Sequence, residues 1–368
     1  MLPTLMADRR ETLSAGAGLA AEVALESGSD FGEPGDVDVK ARGYWEQVWR
    51  RFRRDKVAIG SGIFIIFLLG LAIVGGPIAA HYVGHGQNNV NLDAGLHGET
   101  ALPVGPWSHV SCSGFATPPN PGSCAAHPRG TQLYILGADG QLGNDEFLRL
   151  LYGARVSLEV AFLSTIGVMF IGVLLGTIAG YYRGWIDTAI SRVIELTMVF
   201  PALLFIVALS ATVGPQLNHI TFGIFSRGVI TLVIVFSIFG WYYPARIMRA
   251  QVLSLREKEF VEAARMVGAS DQRIMRSHVV PHLVAPIIVY STLTIAQYIL
   301  LEAGLSFLGL GIDPSIPSWG NLLSTGPQYY LTQPWLMVWP GIAILSTTLA
   351  FNLLGDGLRD SFDPRGAR

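Results

Sequence analysis

The chain has 368 residues, of which 51% are hydrophobic and only 14% are charged, with a formal net charge of −2. Soluble proteins carry about a quarter charged residues, so this composition excludes an ordinary soluble domain and indicates a chain that crosses a membrane several times. No G-x-x-x-x-G-K-[ST] phosphate loop is present, and a chain without one does not cradle ATP by itself. We expect no cofactor, no metal site and no nucleic-acid partner.

The first 56 residues divide into two parts by charge and pattern. Residues 1–42 are rich in acidic side chains and lack apolar periodicity, which predicts a disordered cytoplasmic tail. Within residues 43–56, apolar side chains recur at helical spacing among arginines, at Trp45, Val48, Trp49 and Phe52. This pattern predicts an amphipathic interfacial helix in the lipid headgroup layer, with its arginines toward anionic lipid.

Six apolar runs are long enough to cross a bilayer. The first is residues 57–80, and the arginine cluster before it places the amino terminus in the cytoplasm. The other five form a permeation core within residues 151–358, at about 156–180, 189–213, 228–248, 283–301 and 336–354. We therefore predict an all-α polytopic membrane protein with six transmembrane helices and both termini cytoplasmic, residues 359–368 being the C-terminal tail.

Residues 81–150 separate the first span from the other five. Arg129 and Arg149 are the only arginines in this segment and it has no lysine, which suits an extracellular loop insertion. Both cysteines of the chain, Cys112 and Cys124, lie within it. If the segment is outside the cell, the two thiols are candidates for a disulfide that would stabilise the loop by roughly 3 kcal/mol.

A basic loop, Arg246–Pro286, contains seven Arg or Lys residues and lies between the fourth and fifth apolar runs. Such a loop is expected on the cytoplasmic side. Ser254 and Glu257 have the S-x-x-E spacing of a capping box, which predicts the start of a helix over about 255–267. Gly268, in a left-handed conformation, is expected to end that helix.

A second short helix is expected in the same loop, at about 271–280. Ser270 or Asp271 would cap its start, and Pro281 would mark its end. On the first helix, Ala263 and Ala264 form a shallow face. At this point two interpretations are open: an element that docks in a groove of another protein, and an amphipathic helix lying on the membrane surface.

The sequence also bears on other classes of function. A stand-alone channel or secondary transporter needs ionisable residues inside the membrane as a relay, and the spans offer little beyond Glu195 and Glu302, both near span ends. An intramembrane enzyme needs a nucleophile and a base at matching depth, and Ser306 has no histidine within a predicted span to serve it. Both classes are therefore less favoured than a chain driven by a partner.

Four segments, in this order, carry a family resemblance: LYGARVSLEVA, REKEFVEAARMVGASDQRIMRSHVVPH, EAGLSFLGLGIDPSIPSWGNLL and FNLLGDGLRDSFDPR. The second resembles the EAA loop of the membrane subunits of binding-protein-dependent ABC importers. The set resembles the second, or C-type, permease subunit of dipeptide and oligopeptide importers, over about residues 133–365. The chain departs from that pattern at Ala138 and Asn144, where Thr and Arg are usual, and at Glu159, where the family has an apolar residue.

The resemblance implies the type I ABC importer permease fold and a non-catalytic membrane subunit. It implies a homologous permease subunit as heterodimer partner, two ATP-binding cassette ATPase subunits and an extracytoplasmic solute-binding protein. Together they would move di- or oligopeptides across the cytoplasmic membrane of a bacterium by alternating access. Importers of nickel, glutathione and similar solutes resemble the same subunit, so another small solute is the alternative.

The resemblance also implies which residues couple the permease to its ATPase, within a coupling loop of residues 249–281. They are the residues at the EAA positions and their neighbours: Glu262, Ala263, Ala264, Gly268, Arg265, Ser270 and Asp271. No substrate-binding residue is assigned.

Overall fold

A computed structural model describes the chain at residues 43–83, 85–88, 90–91, 94, 102–111, 131–140, 142–199, 201, 204–209, 212 and 228–363. The chain divides into two units, residues 1–47 and residues 48–368. The predicted acidic tail, 1–42, lies outside the described residues. All the long apolar helices belong to the second unit.

Helices make up most of the described chain. The elements in order are α1 (Tyr44–Phe52), α2 (Lys56–Val83), β1 (Ser108–Ser111), β2 (Thr131–Tyr134), β3 (Ala138–Asp139), β4 (Asn144–Asp145), α3 (Glu146–Tyr182), α4 (Gly184–Val199), α5 (Val229–Gly240), α6 (Tyr242–Arg256), α7 (Glu259–Met266), α8 (Asp271–Phe307), α9 (Trp319–Thr325) and α10 (Trp335–Phe362). Single π-helical turns lie within α2, at Leu71–Gly75, and within α8, at Met275–Val279.

The helices α2, α3, α8 and α10 are each long and apolar enough to cross a membrane. The helices α5 and α6 meet at an angle of 44°, and together they would make a fifth span. A membrane protein built from helices is therefore confirmed. The predicted fourth span, 228–248, corresponds to this bent pair and not to one straight helix. The predicted third span, 189–213, overlaps α4 and continues into residues that are only partly described.

Two small antiparallel sheets lie in the segment predicted as a loop. Strand β1 pairs with β2, with Ser108 opposite Tyr134, and β3 pairs with β4. The expectation of an all-α chain is therefore wrong for this segment. The strands form because Val110 and Tyr134 bury their side chains in a small apolar cluster of their own. Cys112 and Cys124 lie outside the described residues, between β1 and β2, so the disulfide stays a prediction.

Helix α3 is the centre of the second unit, because α2, α4, α5, α6, α8, α9 and α10 all pack against it. Its 37 residues span about 55 Å at 1.5 Å per residue, which is longer than the hydrocarbon core of a bilayer. Gly172, Gly176 and Gly180 bring α3 against α6, where a Cβ atom on Gly176 would lie 2.4 Å from the carbonyl oxygen of Ala245. Small residues at four-residue intervals allow this close approach of two helices.

The N-terminal end of α3 is held by buried charges. Asp145 caps the helix by accepting hydrogen bonds from the backbone N–H groups of Phe147 and Leu148. Its other carboxylate oxygen lies 3.4 Å from His85 Nε2, and both side chains are almost fully buried. Arg149 pairs with Asp139 at 3.2 Å. Burial raises the pKa of Asp145 to about 6.

Candidate coupling site

The predicted capping box of the basic loop is wrong. Ser254 lies inside α6, which continues to Arg256, and α7 begins at Glu259 after Lys258 without a side-chain cap. Helix α6 continues because Val252 and Leu255 extend its apolar face into a cluster of buried side chains. Glu257 is unavailable as a capping partner because its carboxylate pairs with Arg183 at the end of α3. Tertiary packing and this ion pair therefore override the local motif.

The end of α7 is as predicted. Gly268 has a φ of +87°, in the left-handed region that favours glycine. Its N–H donates to the carbonyl of Arg265 at 2.9 Å, and the N–H of Ala269 donates to that of Ala264 at 3.0 Å. These two bonds are the Schellman motif, which satisfies the last free carbonyls of the helix. A Cβ atom on Gly268 would meet nothing within 4 Å, so the backbone angle alone requires glycine here.

The second loop helix is not a separate element. Ser270 occupies the N-cap position without a side-chain hydrogen bond, and α8 then runs from Asp271 to Phe307. The predicted end at Pro281 is therefore wrong. Pro281 is the second residue after the π-helical turn Met275–Val279 and falls in the first turn of the next α-helical stretch, where a missing N–H is tolerated. The coupling loop is thus continuous with a membrane helix.

The seven predicted coupling residues divide by exposure. Ala264 is half-buried against the apolar cluster below α7, and the other six are exposed: Glu262, Ala263, Arg265, Gly268, Ser270 and Asp271. Two large apolar side chains beside them are also exposed: Met266 at 81% and Val267 at 89%. Helix α7 therefore presents an uncovered surface of carboxylate, small and large apolar groups, which we call the α7 surface and define as Glu262, Ala263, Met266, Val267 and Gly268.

The α7 surface rests on a buried cluster that joins four helices. Its fully or almost fully buried members are Tyr181, Met248, Val252, Val261, Ile274, Val279 and Leu283. Val261 is the only side chain of α7 that is buried, and it fastens the helix to this cluster. The ring of Phe260 stacks on that of His282 in α8, with 5.0 Å between centroids. Helix α7 is thus held from one side and open on the other.

Arg265 and Asp271 are exposed, and each also contacts Tyr181, the penultimate residue of α3. The Tyr181 hydroxyl donates a hydrogen bond of 2.6 Å to Asp271 Oδ1. The guanidinium of Arg265 lies 5.6 Å from the centre of the Tyr181 ring. Sequence reasoning assigned Arg265 and Asp271 to the ATPase side and missed Tyr181, because no local pattern connects residues about ninety positions apart.

Two ion pairs flank Tyr181. Arg183 pairs with Glu257, and Arg249 of α6 pairs with Asp187 of α4, with 2.7 Å between Arg249 Nη2 and Asp187 Oδ2. The hydrogen bond from Arg249 holds the pKa of Asp187 below its ordinary value. Arg183 does the same for the pKa of Glu257. The basic residues of this loop are therefore partly neutralised within the chain.

Comparison of the sequence with known protein families identifies the family of this chain. Residues 172–368, more than half of the chain, match the family described as binding-protein-dependent transport system inner membrane component. The chain belongs to this family. Residues 43–95 of this permease also match the N-terminal transmembrane domain of oligopeptide transport permease C. The resemblance stated from the four sequence segments is thereby confirmed, and the protein is an ABC transporter permease.

The permease is similar to curated relatives over most of its length. It is 42% identical to the dipeptide transport system permease protein DppC of Alkalihalophilus pseudofirmus, over 61% of this chain and 69% of the relative. It is 34% identical to the glutathione transport system permease protein GsiD of Pectobacterium atrosepticum, over 89% of this chain and 93% of the relative. A solved structure of the inward-facing MetNI methionine ABC transporter aligns at a TM-score of 0.48 with 16% identity, over 58% of this chain and 96% of that one.

Proposed function

We propose that this permease is the membrane-spanning subunit of an ATP-driven importer, and that the α7 surface receives an ATPase subunit. The observation that carries the proposal is the exposure of Met266 and Val267 on a helix whose opposite side is fastened to the membrane bundle. Large exposed apolar groups favour a groove of another protein over water. The docking interpretation is therefore preferred to a loop helix on the membrane surface.

The same proposal supplies the remaining partners and the orientation. The permease would pair with a homologous permease subunit in the type I importer fold, be driven by two ATPase subunits, and receive its solute from an extracytoplasmic binding protein. It would have six spans in a bacterial cytoplasmic membrane, with α4 and the residues after it as the third span and both termini cytoplasmic. The excess of arginine in the coupling loop supports this orientation.

We propose di- or oligopeptides as the solute. The two named relatives are a dipeptide permease and a glutathione permease, and both names denote peptides. Glutathione itself, nickel or a similar small solute is the alternative. Selection among these solutes would fall largely on the binding protein.

An open cleft of about 420 Å³ beside the bend between α5 and α6 is our candidate for part of the path of the solute. Its lining combines aromatic rings with polar groups, among them Phe236, Phe239, Tyr242, Thr294, Gln297 and Tyr298. Transporters commonly place their solute sites at breaks in membrane helices. Rings and amide groups together suit a peptide, which offers both apolar side chains and backbone hydrogen-bonding groups.

The proposal is tested by Glu262→Arg and Gly268→Pro in cells that express the complete importer. Glu262→Arg reverses a charge on the exposed surface, and Gly268→Pro cannot adopt the observed φ of +87°. We expect both variants to lose peptide uptake and ATPase co-purification, while the abundance of Glu262→Arg in the membrane stays unchanged. Ser254→Ala, on the neighbouring helix, is the matched control and should transport normally. Retention of transport-coupled ATP hydrolysis in both variants would contradict the assignment.

A further inference from the structure

Tyr181 lies where the membrane bundle meets the coupling loop. It belongs to the last turn of α3, and only 2% of its surface is exposed. Its ring is part of the buried cluster that includes Val261 of α7 and Ile274 of α8. A tyrosine that ends a membrane helix ordinarily places its hydroxyl in interfacial water. Here the hydroxyl instead donates a hydrogen bond to another residue of the chain.

Three segments of the loop converge on this one side chain. The hydroxyl binds Asp271 in the first turn of α8, at 2.6 Å. The ring lies 5.6 Å from the guanidinium of Arg265 in α7 and 5.7 Å from that of Arg256 at the end of α6. Both distances are within the range of cation–π attraction. Tyr181 is therefore in contact with the segment before α7, with α7 itself and with the segment after it.

The backbone behind Tyr181 leaves it no room to withdraw. A Cβ atom on Gly180, the preceding residue, would lie 2.8 Å from the carbonyl oxygen of Arg249 in α6. Helices α3 and α6 are thus in direct backbone contact at this level. Arg265 and Asp271 therefore contact a side chain whose helix end is itself packed against α6.

The flanking ion pair between Arg183 and Glu257 is a weaker candidate for the same task. The side chains of this pair are 44% and 67% exposed, respectively. Exposed ion pairs contribute little because water screens them and because two long side chains must be ordered. The contacts of Tyr181 are made by a buried ring and by a hydrogen bond to a charged group, which are individually stronger.

We propose that Tyr181 is the positioning residue that transmits displacement of α7 into the membrane bundle. This inference rests on the proposed function, because it presupposes that an ATPase moves α7. Tyr181 contacts neither solute nor nucleotide. It keeps α7 and the start of α8 at a fixed position relative to α3, so that a load applied to the α7 surface reaches the transmembrane helices.

Two substitutions separate the contacts of Tyr181. Tyr181→Phe keeps the ring and its attraction to Arg256 and Arg265 but removes the hydrogen bond to Asp271. Tyr181→Leu keeps an apolar side chain in the cluster but removes both interactions. We expect coupling to fall in the order tyrosine, phenylalanine, leucine. A role limited to filling space would leave phenylalanine equal to tyrosine.

The experiment uses the complete importer in liposomes and measures peptide transported per ATP hydrolysed. We expect the peptide transported per ATP to fall a few-fold for Tyr181→Phe and about tenfold for Tyr181→Leu, because the lost contacts include one hydrogen bond to a charged group. ATPase co-purification and ATP hydrolysis should be retained in both variants. Tyr182→Phe is the matched control, because this adjacent tyrosine is 43% exposed, and it should couple as the unchanged protein does.

The outcomes distinguish this inference from the proposed function. If the unchanged importer moves no peptide, the proposed function fails. If the unchanged importer moves peptide, and Tyr181→Phe and Tyr182→Phe both retain full coupling, the positioning role of Tyr181 is overturned. Loss of ATPase co-purification in Tyr181→Phe would also overturn it, because Tyr181 would then support docking and not transmission. If Tyr181→Leu fails to assemble, the phenylalanine variant alone decides.

Discussion

The two ends of α3 are built in opposite ways. At the N-terminal end, His85, Asp145 and Asp139 are almost fully buried, and Asp139 pairs with Arg149 within the chain. At the C-terminal end, Arg183 and Glu257 are largely open to solvent, and the adjacent α7 surface is uncovered. One end is closed by its own residues, and the other leaves a surface for a second protein. The difference indicates which end of the central helix is fixed and which is free to receive a load.

The electrostatics of the two ends differ in the same sense. Burial raises the pKa of Asp145, because a dry environment disfavours the charged carboxylate. Near the other end, a hydrogen bond from Arg249 lowers the pKa of Asp187, because a cationic partner favours the charged carboxylate. The N-terminal end is thus governed by desolvation and the C-terminal end by pairing. Four predictions test this contrast, from the largest expected effect to the smallest.

Arg149→Leu is expected to have the largest effect. It leaves the buried carboxylate of Asp139 without its ion pair, and breaking a buried pair costs about 3 to 5 kcal/mol. We expect reduced abundance in the membrane and a lower midpoint of thermal unfolding in detergent. Arg149→Lys is the control that keeps the charge. An Arg149→Leu protein of normal stability would mean that the N-terminal end is not the fixed one.

Asp145→Asn tests the contribution of desolvation through pH. The folded-state pKa of Asp145, about 6, lies above its ordinary value of 3.8, so the stability linked to its proton is present below about pH 4 and is lost as pH rises through about 6. A difference of this size corresponds to at most about 3 kcal/mol. Asparagine keeps the helix cap but carries no titrating proton. As the pH rises from 4 to 6, the thermal midpoint of Asp145→Asn should therefore fall less than that of the unchanged protein.

His85 is the control for that measurement, since the two side chains are in contact. Burial lowers the pKa of His85, so its contribution has the opposite direction, present at neutral pH and lost as pH falls below about 6.5. His85→Gln should leave the Asp145-dependent part of the profile in place. If Asp145→Asn has the same pH profile as the unchanged protein, desolvation of this carboxylate is not the governing effect.

Gly176→Ala tests the close contact between the C-terminal half of α3 and helix α6. The new Cβ atom would lie 2.4 Å from the carbonyl oxygen of Ala245, and overpacking of this kind costs about 1 to 3 kcal/mol. The loss should appear as a lower thermal midpoint. Gly341→Ala in α10 is the matched control, because a Cβ atom there meets nothing within 4 Å and alanine favours the helix. Equal effects at the two sites would contradict the close contact of α3 with α6.

Arg183→Leu is expected to have the smallest effect. Its ion pair with Glu257 is exposed, and such pairs contribute little to stability because water screens them. An arginine-to-leucine substitution should therefore lower the thermal midpoint strongly at Arg149 and only slightly at Arg183. Thermal unfolding of Arg149→Leu and Arg183→Leu under one set of conditions makes the comparison direct. A loss at Arg183 as large as that at Arg149 would remove the distinction between the two ends.

Sequence reasoning reached those features that are written in local patterns. Gly268 was predicted as a left-handed helix end because the residue type itself permits that angle. The capping box at Ser254 failed because Glu257 is bound to a residue more than seventy positions away. Pro281 failed as a helix end because a π-helical turn before it changes the local bonding pattern.

The site itself was predictable only in part. The exposed residues of α7 lie on a continuous segment, so a family motif was sufficient to locate them. Tyr181 joins α3 to α7 and α8 through contacts distant in sequence, and nothing in the neighbourhood of Tyr181 signals them. Strands β1 and β2 were not predicted from the sequence, because each is only four residues long and its partner strand lies beyond the intervening segment.

The unbroken course of α8 has a mechanical consequence. Its 37 residues extend about 55 Å, which exceeds the thickness of the hydrocarbon core, so the helix is long enough to reach from one face of a membrane to the other. A stiff rod of this length that tilts about its middle moves its ends in opposite directions at the same moment. Under the proposed function, a displacement of the loop at Asp271 would therefore be accompanied by a displacement near Phe307 at the other end of the same helix.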